Sequence, residues 1–282
     1  ADLEQQLIEL WNPDTSAAPV ISPEDWWEQR KDFVPLVAQV VLQKLQEDGP
    51  DWLALGSSVR SAFEDRSLQL WVNDPSAATA LGVLGWDGAL DPQPNADFLA
   101  VVDSNVGFNK VDAVIERSLS YVVSWPAEGA APTATLTLTY THPLSVTDSG
   151  CDQTPRYGGS YADLIERCYF DYVRVYTPGG SRLIASSGLQ PDSTVSAIGE
   201  KGLQVFAGFL IQPPNTTHAV TLTYELPAAL QPENYSLVLQ RQAGTDALPV
   251  ALNVGQSAAA LVLQNGRLDW RPGPENSSIS GD

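Results

Sequence analysis

Oxygen-bearing side chains recur through DSNVGFNKVD, residues 103 to 112, directly after the apolar run FLAVV. Asp103, Asn105, Asn109 and Asp112 could offer four oxygen ligands to a hard cation such as calcium, with Gly107 supplying the turn. An EF-hand loop counted from Asp103 needs glycine sixth and a bidentate acid twelfth. Here glycine is fifth and no acid stands twelfth. Asx-turns joining two regions of the chain use the same four residues without a metal, and the Lys110 ammonium can neutralise Asp103 or Asp112 in a cation's place. The stretch reads as a hydrogen-bonded corner first and a calcium site second, and no other cofactor is expected.

Catalytic signatures are sparse. There is no G-x-S-x-G, H-E-x-x-H or P-loop pattern, and the two histidines, His142 and His218, lie in strand or turn contexts rather than near a nucleophile. Asp and Glu are plentiful, but spacing alone pairs none of them. The eight tryptophans mostly occupy helix or strand patterns in which a large apolar body packs into a core. The adjacent Trp26 and Trp27 differ: neighbouring helical residues point about 100° apart, so the pair is expected to serve two surfaces, one of them an interface. Cys151 and Cys168 flank a Gly-, Tyr- and charge-rich stretch. They read as a disulfide if the compartment is oxidising and otherwise as two buried thiols. Two thiols cannot build a zinc site alone.

Fifteen Lys and Arg against 34 Asp and Glu give a net charge of −19, which repels nucleic acid and anionic lipid. With 282 residues, 43% of them hydrophobic, the chain can bury a large core. No stretch reaches the roughly 20 apolar residues of a membrane span, and the acidic start ADLEQQLIEL is not a signal peptide. With methionine absent altogether, the expectation is a processed chain from which any export signal or anchor has been removed.

The elements that would position these residues fall into two regions. Ser22-Pro23-Glu24-Asp25 is a helix start, and Phe33, Leu36, Val37, Val40, Val41 and Leu45 form a helical stripe read as core, with Pro35 separating two helices. A further helix follows Gly49-Pro50, SLQLWV (67 to 72) reads as a strand, and Asp74-Pro75 caps a helix to Leu84. From about Glu116 the period becomes two. RSLSYVVSW, TATLTLTYTHP and six or more later runs, punctuated by Gly, Pro, Asn or Asp, predict an antiparallel immunoglobulin-like β-sandwich. The expected class is α+β, with a mainly helical region over 1–112, the sandwich over 113–271 and a flexible tail over 272–282.

Five motifs carry a family resemblance: RSLQLWVNDPSAATALGVLGWDG, DFLAVVDSNVGFNKVDAVIERSLSYVV, VRVYTPGGSRLIASSG, VFAGFLIQPPNTTHAVTLTYELP and YSLVLQRQAGTDALPV. In that order they resemble the bacterial family called domain of unknown function 4012 over most of residues 55 to 255. The resemblance implies an envelope-anchored protein with an N-terminal membrane segment, an α/β region whose first half would precede residue 1, and a C-terminal sandwich. The expected function is that of a non-enzymatic extracellular or cell-envelope structural or interaction protein. An accessory part of an envelope enzyme acting on cell-wall glycan or lipid-linked precursors is the alternative, and a filament or surface-layer subunit is the third reading. Expected partners are the preceding half of the same precursor, another copy, or other envelope proteins, with no nucleic acid and membrane contact only through the removed anchor. A chain beginning near residue 113 is expected to be a monomer.

Overall fold

The computed structural model describes residues 33–47, 49, 51–127, 130–146, 150–155 and 161–273. The helix start at Ser22, the Trp26-Trp27 pair and the tail from residue 274 lie outside the described residues. Helix α1 (Phe33–Glu47) runs through Pro35, which lies near its described start, where a missing amide costs little. The stripe read as core is exposed at Val40 and Val41 and only half-buried at Val37 and Leu45. Periodicity there marks a face that needs cover, not the element that covers it. Helix α2 (Trp52–Glu64) begins where Asp51 accepts from the amides of Leu53 and Ala54, and α3 (Pro75–Leu84) where Asp74 accepts from Ala77. Gly85, at φ 70°, ends α3 in the left-handed conformation that suits glycine.

SLQLWV, predicted as a strand, is in no sheet. Leu70 donates to the carbonyl of Trp86 at 2.9 Å, while Leu68, Leu70 and Trp71 stay exposed. Its β-forming side chains have no neighbouring edge to pair with, so propensity alone leaves it extended.

Twelve strands among the described residues make two six-stranded sheets. The first contains β1 (Asp97–Val102), β4 (Tyr169–Thr177), β6 (Val195–Ile198), β7 (Gln204–Gln212), β9 (Leu237–Gln240) and β12 (Arg267–Trp270), in the order β12-β9-β1-β4-β7-β6. The second contains β2 (Glu116–Ser124), β3 (Thr133–His142), β5 (Arg182–Ser187), β8 (Thr216–Glu225), β10 (Leu248–Val254) and β11 (Ser257–Leu263), in the order β11-β10-β2-β3-β8-β5. The fold is α+β, with few helices and a β-sandwich arrangement. The expectation of an antiparallel sandwich is corrected at two places: β9 joins β1 in parallel, and β10 joins β2 in parallel, so both sheets are mixed. Each parallel pair unites strands far apart in sequence, which local alternation cannot reveal.

The alternation of TATLTLTYTH places Leu136, Leu138 and Tyr140 inward and the threonines outward. Those residues share one buried cluster with Leu99, Val173, Phe206 and Leu210 of the first sheet. Each such side chain contributes about 1.5–3 kcal/mol by leaving water. The strand β1, assigned from sequence to the helical region, lies inside the first sheet between β9 and β4.

Candidate functional site

The segment 103–115 carries the chain from β1 in one sheet to β2 in the other, and a largely buried polar network gathers around it. Asp103 turns its carboxylate inward: Arg117 Nε donates to Oδ2 at 2.8 Å and the Tyr140 hydroxyl to Oδ1 at 2.8 Å. Arg117 also reaches the Ile115 carbonyl and the Tyr169 hydroxyl. Burial works to lower the Arg117 pKa, but Asp103 and the phenols of Tyr169 and Tyr140 hold the guanidinium charged. Burial first, and Asp103 second, push the Tyr140 and Tyr169 phenols up, so both remain protonated donors.

Asp171, on β4, is wholly buried and joins Asp103 as a carboxyl pair. Its Oδ1 accepts from the Ser104 amide at 2.7 Å, while no described donor reaches Oδ2. Burial, then the Asp103 charge, raises the Asp171 carboxyl above the usual carboxylate range. A proton retained on the Asp171 carboxyl beside Asp103 would remove the repulsion between two adjacent carboxylates.

The predicted cation ligands divide. Asn105, Asn109 and Asp112 come together, with Asn105 Nδ2 donating to Asn109 Oδ1 at 2.8 Å and to Asp112 Oδ1 at 2.6 Å. Asn105 Oδ1 accepts from the Gly107 amide, Asn109 Oδ1 from the Val111 amide, and Asn109 Nδ2 donates to the Cys168 carbonyl. Asp103 belongs instead to Arg117 and Tyr140. These are Asx-turn contacts, and among the described residues no group of three or more His, Cys, Asp or Glu is placed to hold a metal.

Beside this corner lies a cavity of about 510 Å³, with Val101, Leu119, Leu138 and Leu239 among its apolar walls and Arg117 and Arg241 among its polar ones. An adjoining recess of about 380 Å³ is bordered by Asp103, Asn105, Asp112 and Asp246. The cavity is large enough for a small amphipathic group, with Asp103 and Arg117 on its polar side. His142 contacts only a backbone carbonyl, that of Arg167, through Nε2, and His218 meets the carbonyl of Gly188, so neither is set against a nucleophile in the contacts it makes.

A second buried acid, Asp97, stands at the start of β1. Burial raises its carboxyl to about 6, opposed by hydrogen bonds from Tyr235, Tyr121 and the Phe98 amide. Neither Asp97 nor Asp171 was singled out from sequence. The available signal was phase: each acid shares the inward parity of its strand, Asp97 with Leu99 and Asp171 with Tyr169 and Val173.

Cys151 and Cys168 are joined, their sulfurs 2.10 Å and their Cα atoms 5.3 Å apart, which ties the preceding loop to the start of β4. The tryptophans divide as well. Trp86 stacks on Phe63 with ring centroids 4.3 Å apart, Trp125 donates to the Leu230 carbonyl, and Trp270 is buried. Trp52 and Trp71, read as core, are 70% and 79% exposed. No helix among the described residues is long and apolar enough to cross a membrane. No protein-family model matches the chain, and no curated protein matches it.

Proposed function

We propose that this chain is a non-enzymatic structural or interaction protein of a bacterial envelope, of the kind the resemblance to domain of unknown function 4012 implies. Its sandwich, immunoglobulin-like in character despite two parallel pairings, serves as a scaffold, and its N-terminal helices dock a protein partner outside the cytoplasm. One observation carries the reading: Trp52, Leu53, Trp71, Val83 and Leu84 are all more than half exposed on α2, α3 and the extended segment between them. Large apolar side chains left in water beside a well-packed sandwich support an interface reading. The disulfide is compatible with an extracellular location. The partner is either the α/β half that the resemblance places before this region or a second copy.

Sedimentation velocity of the purified chain tests the reading. Self-association that Trp71→Ser with Val83→Ser abolishes, at unchanged circular dichroism, supports a second copy as partner. A monomer that binds the separately produced α/β half supports the other partner. A monomer that binds neither removes the proposal. The accessory-enzyme reading stays second because Asp103, with Arg117 beside it, borders a cavity. The filament or surface-layer reading draws on the same exposed surface and would require repeating contacts between copies.

A further inference from the structure

The two sheets end in four outer strands, β12, β6, β11 and β5. Three of them carry features that discourage pairing with another chain. β6 and β12 are only four residues long, and β12 also bears Arg267 and Asp269. β5 begins at exposed Arg182 and breaks register between Leu183 and Ala185. β11 has none of these protections. Its seven residues, SAAALVL, contain no charge and no proline, and they pair with β10 in seven unbroken steps. In a chain bearing 34 acidic residues, such a strand is where two copies can approach without repulsion.

The hydrogen-bonding phase of β11 is fixed by its hairpin. The two-residue turn Gly255-Gln256 makes Val254 and Ser257 the closing bonded pair. Alternation then places Pro249 opposite Val262 at a non-bonded step, where a proline needs no amide. The same alternation directs the N–H and C=O groups of Ala258, Ala260 and Val262 to the free side, where no described strand pairs with them. Ala259 and Leu261 face inward and are only partly buried against the core, so the interior is unfinished along this edge.

We infer that β11 is a dimerisation edge: a second copy adds its own β11 antiparallel about a two-fold axis through Ala260, joining the two second sheets into one. The strand's own composition specifies the occupant. Centred on Ala260, all seven residues pair, and Ala259 meets the partner's Leu261 while Leu261 meets the partner's Ala259. Small sits opposite large in both inward pairs, which fills the unfinished edge evenly. On the outer face Ala258 meets the partner's Val262 in the same way. A register centred one residue later sets Leu261 against the partner's Leu261 and shortens the ladder. An isologous contact of this kind is self-complementary by construction of the two-fold.

Both cysteines of the chain are engaged with each other, so an introduced thiol is the only free one. Opposed residues at a bonded antiparallel step lie about 5.5 Å apart at Cα, within the span of a disulfide. Ala260→Cys is expected to cross-link to a covalent dimer under mild oxidation. Ala258→Cys and Val262→Cys should each fail alone and cross-link when mixed. Ala260→Lys, at a side chain exposed in the single chain, should give a monomer with the circular dichroism of the folded chain and a melting temperature that no longer depends on protein concentration. Trp71→Ser should leave the Ala260→Cys cross-link intact, which separates this edge from the helical surface. The inference is overturned if Ala260→Cys stays monomeric, if the three thiol positions cross-link without register preference, if Ala260→Lys remains a dimer, or if Trp71→Ser abolishes the cross-link.

Discussion

Tyr121 on β2 donates a 2.8 Å hydrogen bond to Oδ2 of Asp97 on β1, spanning the interior from one sheet to the other. Tyr235 donates to the same oxygen, and the Tyr224 hydroxyl donates in turn to Tyr121 at 3.3 Å. A buried carboxyl thus fastens the two layers where β1 begins. Tyr121→Phe removes one donor while keeping the ring, and is expected to cost about 1.5–3 kcal/mol, the range for a hydrogen bond to a charged group. Urea denaturation should show a lower midpoint at an unchanged slope.

The two buried acids set the pH dependence. Burial raises Asp97 to about 6 and raises Asp171 as well, whereas an unfolded aspartate titrates near ~3.9. Above that value the native chain holds more protons than the unfolded one, so stability falls as pH rises. The stabilisation is complete below about pH 4, is lost through about pH 6 for Asp97, and is lost at higher pH for Asp171. The melting temperature should therefore be higher at pH 5 than at pH 8, and Asp171→Asn should flatten the upper part of the curve. A curve rising from pH 5 to pH 8 would contradict this account.

Removal of residues 1–112 should unfold the sandwich. The position of β1, which holds β4 on one side and β9 on the other, argues against the expectation that a chain beginning near residue 113 is a folded monomer. Without it Tyr121 and Tyr235 lose their acceptor, and Leu99 leaves the core. Circular dichroism of a chain starting at residue 113 should lack a cooperative transition, while a chain starting at residue 51 should keep one.

Calcium and magnesium should raise the melting temperature by the same small amount, through screening of the −19 charge. Asn109→Ala should destabilise equally with or without calcium, because it loses the bonds to Val111 and Cys168 rather than a metal. A chelator-sensitive shift of many degrees, lost in Asp112→Ala, would instead establish a cation site.

Replacing Cys151 and Cys168 together by serine should cost about 3 kcal/mol in the loop-entropy model, since they close a 17-residue separation. Tryptic digestion should then cut first between residues 152 and 167.

The parts of the fold legible in the sequence were those governed by neighbours. Asp74-Pro75 with Gly85 bounded α3, and the Thr-Leu alternation assigned each face of β3. The cysteine spacing was read as a disulfide if the compartment is oxidising, and that joined pair is what the structure contains. What escaped depended on distant partners. SLQLWV has strand composition but no described edge to join, the strand-like run of β1 finds its sheet only through β4 and β9, and the two parallel pairings leave no local mark. At the site, the Asn105–Asn109–Asp112 corner was legible because Asx-turns are short-range. The Asp103–Asp171 pair was not, because Asp103 directly follows β1 and Asp171 lies on β4, strands whose adjacency no spacing encodes.

The parallel seat of β1 beside β9 also sets the order in which the molecule can assemble. Asp97 accepts from Tyr121 and the Phe98 amide but waits for its third donor, Tyr235, 138 residues further along the chain. During synthesis the run DFLAVV emerges long before β9, so closure of the first sheet is a late, long-range event with a correspondingly slow rate. Even after β4 has paired with it, an apolar strand with one open edge is presented to whatever surrounds the nascent chain until β9 is made. Chaperone binding to the nascent chain is therefore expected to persist until residue 240 has emerged.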